Sequence, residues 1–298
     1  MIVITGATGF VGEEIARQAH EAGYPIRAIV RDSQPARWLA ERYGAELFHG
    51  NVLYAPSIEG AMQGANCVIH LVGIIHEQNE NTFERAHTRA TQYVLDEAKK
   101  SGVKRYVHMS ALGVRENARS RYHQTKWAAE EYVRKSGLAW TIFRPSFIYG
   151  PHDKAINTLA TLVRRLPFVP VLGNGNTKIQ PISVGNVAKA FVASVRNDAS
   201  IGKTYDLCGP EAFTWNELYD KLQKILGTRK LKLHLPLPIA RVQAALFEKI
   251  LPTPPFTRDQ LLMLQEDNVG DPKPAERDFL LQQEDFEGGV ARYLRPAV

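Results

Sequence analysis

Strand-like and helix-like segments alternate through the first half of the chain, and this alternation constrains the fold more than any other feature. Residues 1–5 form a short apolar run, and residues 10–22 carry apolar side chains at helical spacing. Strands and helices that alternate with short connections imply parallel strands joined by right-handed crossovers, with helices on both faces. The sequence therefore predicts an α/β fold built on a doubly wound parallel sheet.

The same criteria place the remaining elements. Predicted strands lie at 25–30, 45–50, 65–73, 103–111, 138–146 and 203–209. Predicted helices lie at 35–42, 56–63, 82–101, 121–136, 155–165, 184–196, 214–226, 238–249 and 257–265. Prolines and glycines interrupt the pattern after about residue 150, which indicates a smaller, mostly helical C-terminal lobe for the substrate.

Composition excludes several classes of protein. The 298 residues are 44% apolar and 23% charged, as in soluble globular proteins. No apolar run approaches the roughly 18 residues of a membrane span, and the first predicted strand leaves no room for a signal peptide. Cys67 and Cys208 are too few for a disulfide framework, and the scattered histidines predict no metal site. We therefore expect a cytoplasmic protein.

Three glycines, Gly6, Gly9 and Gly12, separate the first predicted strand from the first helix. In a doubly wound sheet this turn commonly holds a pyrophosphate, because glycines permit the tight turn and free amides at the helix start face the anion. The sequence predicts a Rossmann-type dinucleotide site here; a purely structural turn is the alternative. Residues 1–150, with 181–208 returning, would form this domain, and 151–180 with 209–298 the smaller lobe.

The end of the second strand indicates which dinucleotide binds. Arg31 comes first there and Asp32 follows. A guanidinium matches a 2′-phosphate in charge and geometry, which favours NADP(H); NAD(H) remains the alternative if Asp32 holds the ribose. Asn51, after the third strand, is placed to contact adenine, and Gly73, after the fourth, to let the backbone pass over the adenosine.

Tyr122 and Lys126 lie four residues apart, on one face of the predicted helix 121–136. An ammonium group beside a phenol is expected to lower the phenol's pKa and to make it a proton donor and acceptor near neutrality. A tyrosine and a lysine four residues apart are common by chance. This pair lies at the start of the helix after the fifth predicted strand, however, and that position favours a functional role.

Several motifs, in order, resemble the extended short-chain dehydrogenase/reductase superfamily: "TGATGFVG", "SALG", "YHQTK" and "RPSFIYGP". With "PPFTRDQLLMLQEDNV" near the end, the chain is similar over nearly its whole length to the atypical subgroup named for the accessory subunit of respiratory complex I. Bacterial members of that subgroup are often labelled nucleoside-diphosphate-sugar epimerases, of the NAD-dependent epimerase/dehydratase type.

The resemblance implies roles for individual residues. Tyr122 would be the acid/base, Lys126 its activator, and Ser110 the residue that orients the substrate oxygen. The implied cofactor contacts are Gly6, Thr8, Gly9, Phe10, Val11, Gly12, Arg31, Asn51, Val52, Leu71, Val72, Gly73, Tyr122, Lys126, Pro145, Ser146 and Ile148.

The chain also departs from the superfamily pattern. His87 stands where many relatives have an asparagine, and Asn186 where extended relatives usually have an aspartate. The segment from Ser110 to Tyr122 is short, which leaves little loop to enclose a nucleotide sugar.

Two functions follow as hypotheses. The first is an NADP(H)-dependent oxidoreductase or epimerase/dehydratase that acts on an unidentified small molecule with Tyr122 and Lys126. The second is a non-catalytic NADPH-binding accessory or assembly protein with a respiratory-complex or membrane-associated partner, peripheral to the inner membrane. The net charge of +6, without a basic and aromatic stripe, argues against DNA and RNA as partners.

Overall fold

The structure, a computed structural model, describes residues 1–294 of the chain. In this range the strands are β1 (Ile2–Thr5), β2 (Ile26–Val30), β3 (Glu46–His49), β4 (Cys67–His70), β5 (Arg105–Met109), β6 (Ala139–Pro145), β7 (Ile148–Tyr149), β8 (Val169–Leu172), β9 (Lys178–Ile179), β10 (Ile182–Ser183), β11 (Lys203–Leu207), β12 (Phe213–Thr214) and β13 (Lys232–Leu235). The helices are α1 (Phe10–Glu21), α2 (Arg37–Tyr43), α3 (Ala90–Lys100), α4 (Arg121–Arg134), α5 (Ala155–Arg165), α6 (Val184–Ser194), α7 (Trp215–Ile225), α8 (Leu237–Ile250), α9 (Arg258–Met263), α10 (Lys273–Phe279) and α11 (Phe286–Leu294).

Seven parallel strands form the central sheet in the order β11-β6-β5-β4-β1-β2-β3. From β1 the chain adds β2 and then β3 on one side of the sheet. It then returns and adds β4 next to β1 on the other side. The predicted doubly wound parallel sheet is therefore confirmed. In such a sheet ligands bind beyond the carboxyl ends of the strands, next to the point where the strand order reverses, which here lies between β1 and β4.

Two apolar layers cover the faces of the sheet. On one face Ile15 of α1 and Phe191 of α6 belong to the same buried cluster, and on the other Val94 of α3 packs with Tyr106 of β5. The α1–α6 pair is further tied by a hydrogen bond of 3.0 Å from the Gln18 side-chain amide to the Gly185 carbonyl. Burial on both faces explains why the strands read as nearly continuous apolar runs.

A second core lies in the smaller lobe, which contains α5, α7, α8, α9 and α11. Its buried members include Ile156, Phe213, Leu222, Phe286 and Val290. The short strands β8 and β13 pair in parallel within this lobe. The expected smaller, mostly helical lobe is present.

The C-terminal part also differs from the predictions. Helices α10 and α11 and the β8–β13 pair were not predicted, because α10 is short and begins beside two prolines and α11 contains Gly288 and Gly289. Tertiary contact favours α11 regardless of its low propensity: a Cβ on Gly289 would lie 2.6 Å from the Tyr149 hydroxyl. The helix predicted at 56–63 is only a 3-10 turn at Ala55–Ile58, and the predicted helix 82–101 begins as a π-helical turn at Glu84–Arg89.

Candidate functional site

The loop between β1 and α1 is shaped by its glycines. Gly6 has φ of +78°, a left-handed conformation, and a Cβ at Gly12 would lie only 2.1 Å from the Gly6 carbonyl oxygen. Gly9 donates a 3.0 Å hydrogen bond to the same oxygen and starts α1 without a side-chain cap. The amide groups in the first turn of α1 are therefore available to an anion. Thr8 is exposed in this loop.

The segment after β4 lies against this loop. A Cβ on Gly6 would be 3.4 Å from Leu71 Cβ and 3.5 Å from Val72 Cγ2. Gly73 follows, and a Cβ there would be 3.0 Å from Lys126 Nζ. The structure thus brings the predicted residues of the first loop, the β4 segment and α4 into one continuous region.

The segment after β6 packs against the start of α1. Ile148 lies in β7, and a Cβ on Gly150 would be 3.1 Å from the Phe10 ring. The predicted residue Val11 is buried beside Phe10 in the cluster under α1. This packing joins β7 to the start of α1.

The ends of β2 and β3 hold the other predicted nucleotide contacts. Arg31 is exposed and makes no ion pair within residues 1–294, whereas Asp32 accepts a hydrogen bond of 2.9 Å from the Gln34 amide. Asn51 Oδ1 accepts a bond of 3.0 Å from the Leu53 amide, and Val52 is buried. The Asn51 oxygen is thus engaged by its own turn, which leaves the side-chain NH2 for a ligand.

Helix α4 carries Tyr122 and Lys126 and is capped from both lobes. Ser120 Oγ accepts a bond from the His123 amide. The Asp259 carboxylate of α9 accepts bonds from the amides of Arg121, at 2.7 Å, and Tyr122, at 3.2 Å. A carboxylate at this end also complements the helix dipole. Sequence reasoning missed Asp259, because it lies 137 residues from Tyr122 and has no local signal.

Lys126 and Ser110 meet at the end of β5. Lys126 is buried, and its Nζ donates a bond of 2.9 Å to the carbonyl of Met109, the residue before Ser110. Ser110 is 3% exposed, and among the described residues its Oγ has no hydrogen-bond partner. A buried hydroxyl without a partner costs stability, which is typical of a site that a ligand completes.

The pKa values correct one expectation from the sequence. Burial raises the pKa of Tyr122 to about 12, and Lys126 does not offset this. Burial also lowers the pKa of Lys126 to about 8, although the charge of Glu130 opposes the shift. The expectation that Lys126 lowers the pKa of Tyr122 is therefore wrong for the protein without ligand, because desolvation outweighs any effect of the ammonium charge.

His87 supports the Tyr122 ring from the π-helical turn before α3. Its Nδ1 lies 2.9 Å from Thr125 Oγ1, its Nε2 lies 3.0 Å from the Ile74 carbonyl oxygen, and its ring meets Tyr122 edge-on at 5.1 Å. Burial and the charge of Lys126 hold the pKa of His87 well below its ordinary value, so the imidazole is neutral. π-Helical turns often occur at functional sites.

Pro145 and Ser146 follow β6 and contact the smaller lobe. The Pro145 carbonyl accepts a bond of 2.9 Å from the Leu112 amide. Ser146 Oγ donates a bond of 2.5 Å to Asn268 Oδ1, and Asn268 Nδ2 in turn donates to the Leu112 carbonyl. Asn268, which sequence reasoning also missed, therefore links the smaller lobe to the end of the sheet.

The part of the chain that the structure describes contains neither a metal-binding cluster nor a membrane-spanning helix. Within it, no three His, Cys, Asp or Glu side chains are grouped so that they could hold a metal ion. Nor does any helix there combine the length and the apolar character needed to cross a membrane.

We expect the Lys126→Met variant, measured without nucleotide, to be more stable than the wild type at pH 7 by up to about 3 kcal/mol. The pKa of Lys126, at about 8, lies below its ordinary value, so the cost of the buried ammonium is fully present below pH 8. As pH rises from 8 toward 10.5 the folded protein loses this proton first, and the difference between variant and wild type shrinks. Urea unfolding at pH 7, 8.5 and 10 measures it.

The control for this measurement is Lys135→Met, since Lys135 is exposed at the end of the same helix and pairs with Glu131. We expect its stability to differ little from that of the wild type at each pH. A Lys126→Met variant that is less stable than the wild type at pH 7 would show that the bond to Met109 outweighs the cost of burial.

A comparison with known protein families identifies the family of this chain. Residues 6–198, from the first glycine of the loop to beyond α6, match the model of a protein family described as NAD(P)H-binding. The chain belongs to this NAD(P)H-binding family. The predicted similarity to the accessory subunit of respiratory complex I is confirmed by the sequence relatives.

The relatives of this NAD(P)H-binding chain include a subunit of a mitochondrial NADH dehydrogenase and a bacterial reductase. The chain is 33% identical over 280 residues to "NADH dehydrogenase [ubiquinone] 1 alpha subcomplex subunit 9, mitochondrial" of Arabidopsis thaliana, covering 89% of this chain and 70% of the relative. It is 28% identical over 238 residues to "Ceramide reductase" of Caulobacter vibrioides, covering 80% and 74%. A solved UDP-glucuronic acid 4-epimerase of Bacillus cereus, in complex with UDP-glucuronic acid and NAD, has a TM-score of 0.74 at 17% identity and covers 98% of each chain. At that identity the structure shows a shared fold.

Proposed function

We propose that this NAD(P)H-binding protein is an NADP(H)-dependent oxidoreductase with its active site beside Ser110, Tyr122 and Lys126. The observation that carries the proposal is the buried Ser110 hydroxyl, which has no partner within residues 1–294 and lies next to the carbonyl that binds Lys126. An epimerase or dehydratase is the less favoured enzyme, because the short segment between Ser110 and Tyr122 offers little enclosure for a nucleotide sugar.

The residues at the carboxyl edge of the sheet fit a dinucleotide. The open amides at the start of α1 would hold the pyrophosphate, and any Cβ at Gly12 would disrupt the loop. Leu71 and Val72 lie against this loop at Gly6. Pro145, at the end of β6, and Ile148, in β7, are the further apolar contacts that we propose for the cofactor. When bound, NADP(H) supplies or accepts a hydride.

The chain's own groups would manage the proton. The phenol of Tyr122, with its raised pKa, is neutral at physiological pH and can donate to a substrate oxygen. The Ser110 hydroxyl would orient that oxygen, and His87 keeps the Tyr122 ring in place through edge-on contact. The name of the Caulobacter relative, a reductase, supports reduction as the direction of the reaction.

The preference for NADP(H) rests on Arg31. We expect Arg31→Ala to weaken NADPH binding at least about tenfold and NADH binding less than threefold, because an exposed guanidinium without an ion pair can bind the 2′-phosphate that only NADPH carries. Fluorescence titration with both nucleotides measures the ratio. Arg37→Ala is the control, since Arg37 is exposed nearby on α2 and faces Glu41. Equal losses for NADPH and NADH would show that Arg31 does not select the 2′-phosphate.

The test of the whole proposal is to purify the protein gently and to identify the nucleotide that it carries. NADPH oxidation is then followed with a panel of ketones and aldehydes. Bound NADP(H) and turnover with a defined carbonyl compound are the expected results. Failure of both nicotinamide nucleotides to bind at millimolar concentration would overturn the proposal.

The names of the respiratory relatives favour a second function, that of a non-catalytic NADPH-binding accessory protein. Such a protein would retain its nucleotide, exchange it slowly and copurify with a respiratory or membrane complex. Bound nucleotide, no turnover with any carbonyl compound and a defined partner in pull-downs would together favour this function over the first.

Both functions use the same division of the chain. We propose residues 1–150 with 181–208 as the dinucleotide domain and 151–180 with 209–298 as the substrate lobe, of which 295–298 lie outside the described residues. Strand β11 pairs with β6 in the central sheet, which supports the return of 181–208. For either function we propose a place in the cytoplasm, at the periphery of the inner membrane.

A further inference from the structure

Helix α8 exposes a stripe of aliphatic side chains to solvent. Ile239, Val242, Leu246 and Ile250 are between 51% and 71% exposed. Their spacing of three, four and four residues places them on one side of the helix. The opposite side holds the buried Ala240 and Ala244. Since α8 already packs into the lobe through its alanines, the aliphatic stripe has no role in the internal core.

The strand that leads into α8 has the same character. Leu231, the residue before β13, is 86% exposed, and Leu233 on β13 is 57% exposed. Among the strands in the described residues, β13 pairs with β8 alone. Scattered exposed apolar residues are common, but a consecutive group over one strand and one helix marks an interaction surface.

Positive charge borders this aliphatic stripe. Between Leu226 and Leu251 there are five Lys or Arg and one Glu, a net charge of +4 out of the +6 of the chain. The Glu, Glu248, is already paired with Arg258. Within residues 1–294, Arg229 and Lys249 make no ion pair. The surface therefore combines aliphatic side chains with uncompensated cations.

We propose that α8 lies in the surface of a membrane that contains anionic lipids. An amphipathic helix of this kind buries its apolar face at the boundary between headgroups and acyl chains, and its cations face the lipid phosphates. The aliphatic stripe enters this boundary, and Arg229 and Lys249 contact the headgroups. The protein then binds from one side of the bilayer and does not span it.

Charge and area favour a membrane over a second copy of the chain. A symmetric dimer through α8 would bring two segments of net charge +4 together, which costs free energy. The stripe consists of four side chains, whereas a standard protein interface buries about 800 Å² and roughly 20–30 residues on each partner. The inference rests on the proposed place at the membrane periphery and names the surface responsible. Its test is separate from that of the proposed oxidoreductase activity, since it needs neither nucleotide nor turnover.

Sedimentation of the full chain with vesicles tests the proposal. One set of vesicles is phosphatidylcholine, and the other contains about 30% phosphatidylglycerol, an anionic lipid. We expect binding to the anionic vesicles, at least tenfold weaker binding to phosphatidylcholine alone, and weakening by salt. The double variant Val242→Glu/Leu246→Glu should bind the anionic vesicles at least tenfold more weakly than the wild type. The Lys249→Glu variant should bind them severalfold more weakly.

The control is Ile201→Glu, which places a glutamate on another exposed aliphatic residue, 40% exposed and two residues before β11. It should bind vesicles like the wild type. Circular dichroism and urea unfolding show whether each variant is folded.

Three results would overturn the proposal: no binding of the wild type to either vesicle, equal binding to both, or unchanged binding of the folded Val242→Glu/Leu246→Glu variant. A concentration-dependent dimer in light scattering that this variant abolishes, without vesicle binding, would assign the surface to a second copy.

Discussion

Gly12→Ala is expected to lower the free energy of unfolding by about 3 kcal/mol and to weaken NADPH binding at least a hundredfold. The added Cβ would lie 2.1 Å from the Gly6 carbonyl oxygen, 2.7 Å from Ala7 Cα and 2.9 Å from the Ala7 carbonyl carbon. All three atoms belong to the backbone, so no side-chain rotation can relieve the overlap. Either α1 moves away from the loop or the loop loses the turn that aims its amides at the pyrophosphate.

The control for this variant is Gly185→Ala. Gly185 lies near the start of α6, the helix that packs on α1. Among the described residues outside its own helix turn, the nearest atom to an added Cβ is Glu14 Oε1, at 4.0 Å. Alanine there should raise stability by about 0.5–1 kcal/mol, because it reduces the entropy of the unfolded chain. Urea unfolding and NADPH titration of both variants separate the two effects. A Gly12→Ala protein that unfolds and binds NADPH like the wild type would remove the loop from the proposed site.

The central sheet could be predicted from the sequence because each of its elements carries a local signal. Apolar runs identify buried parallel strands, helical periodicity identifies the crossovers, and Gly6 and Gly12 stand where the backbone requires them. The right-handed crossover rule then leaves few arrangements of such a chain. Local pattern and overall topology agree in this half of the molecule.

The smaller lobe was predicted less completely because its elements depend on distant contacts. Strands β8 and β13 are four residues each and pair across 59 intervening residues, so neither has a strong pattern of its own. Helix α11 contains two adjacent glycines, and it is stabilised where Gly289 lets it approach Tyr149. Tertiary packing outweighs propensity at such positions.

The candidate site was predicted in part for the same reason. Tyr122, Lys126 and Ser110 could be chosen from their positions after predicted strands, and their proposed roles stay predictions. Asp259 and Asn268 could not, because they reach the sheet from the other lobe. The direction of the Tyr122 pKa shift was also missed, because it depends on burial that the sequence does not reveal.

These contacts connect the two lobes at the residues proposed for chemistry. Asp259 holds the start of α4, Asn268 holds Ser146, and Gln260 Nε2 donates a bond of 3.3 Å to the Ile75 carbonyl after β4. A substrate that enters between the lobes would therefore meet groups whose positions both lobes determine.

Tyr122→Phe is expected to reduce turnover of a carbonyl substrate about a thousandfold while NADPH affinity stays within a few-fold of the wild type. The substitution removes the hydroxyl that would donate the proton and keeps the ring that packs against Phe83, His87 and His123. The phenolic oxygen makes no hydrogen bond within residues 1–294, so its removal leaves no protein partner unsatisfied. The fold should therefore tolerate the change.

Steady-state NADPH oxidation and NADPH titration of the same preparation measure the two quantities. Tyr132→Phe is the matched control, because Tyr132 is 45% exposed on the same helix and lies away from the sheet edge; its turnover should equal that of the wild type. Retained turnover in Tyr122→Phe would remove Tyr122 from the mechanism. Parallel loss of turnover and NADPH binding would assign it to the nucleotide site, because a proton donor acts in the chemical step and not in the binding of the cofactor.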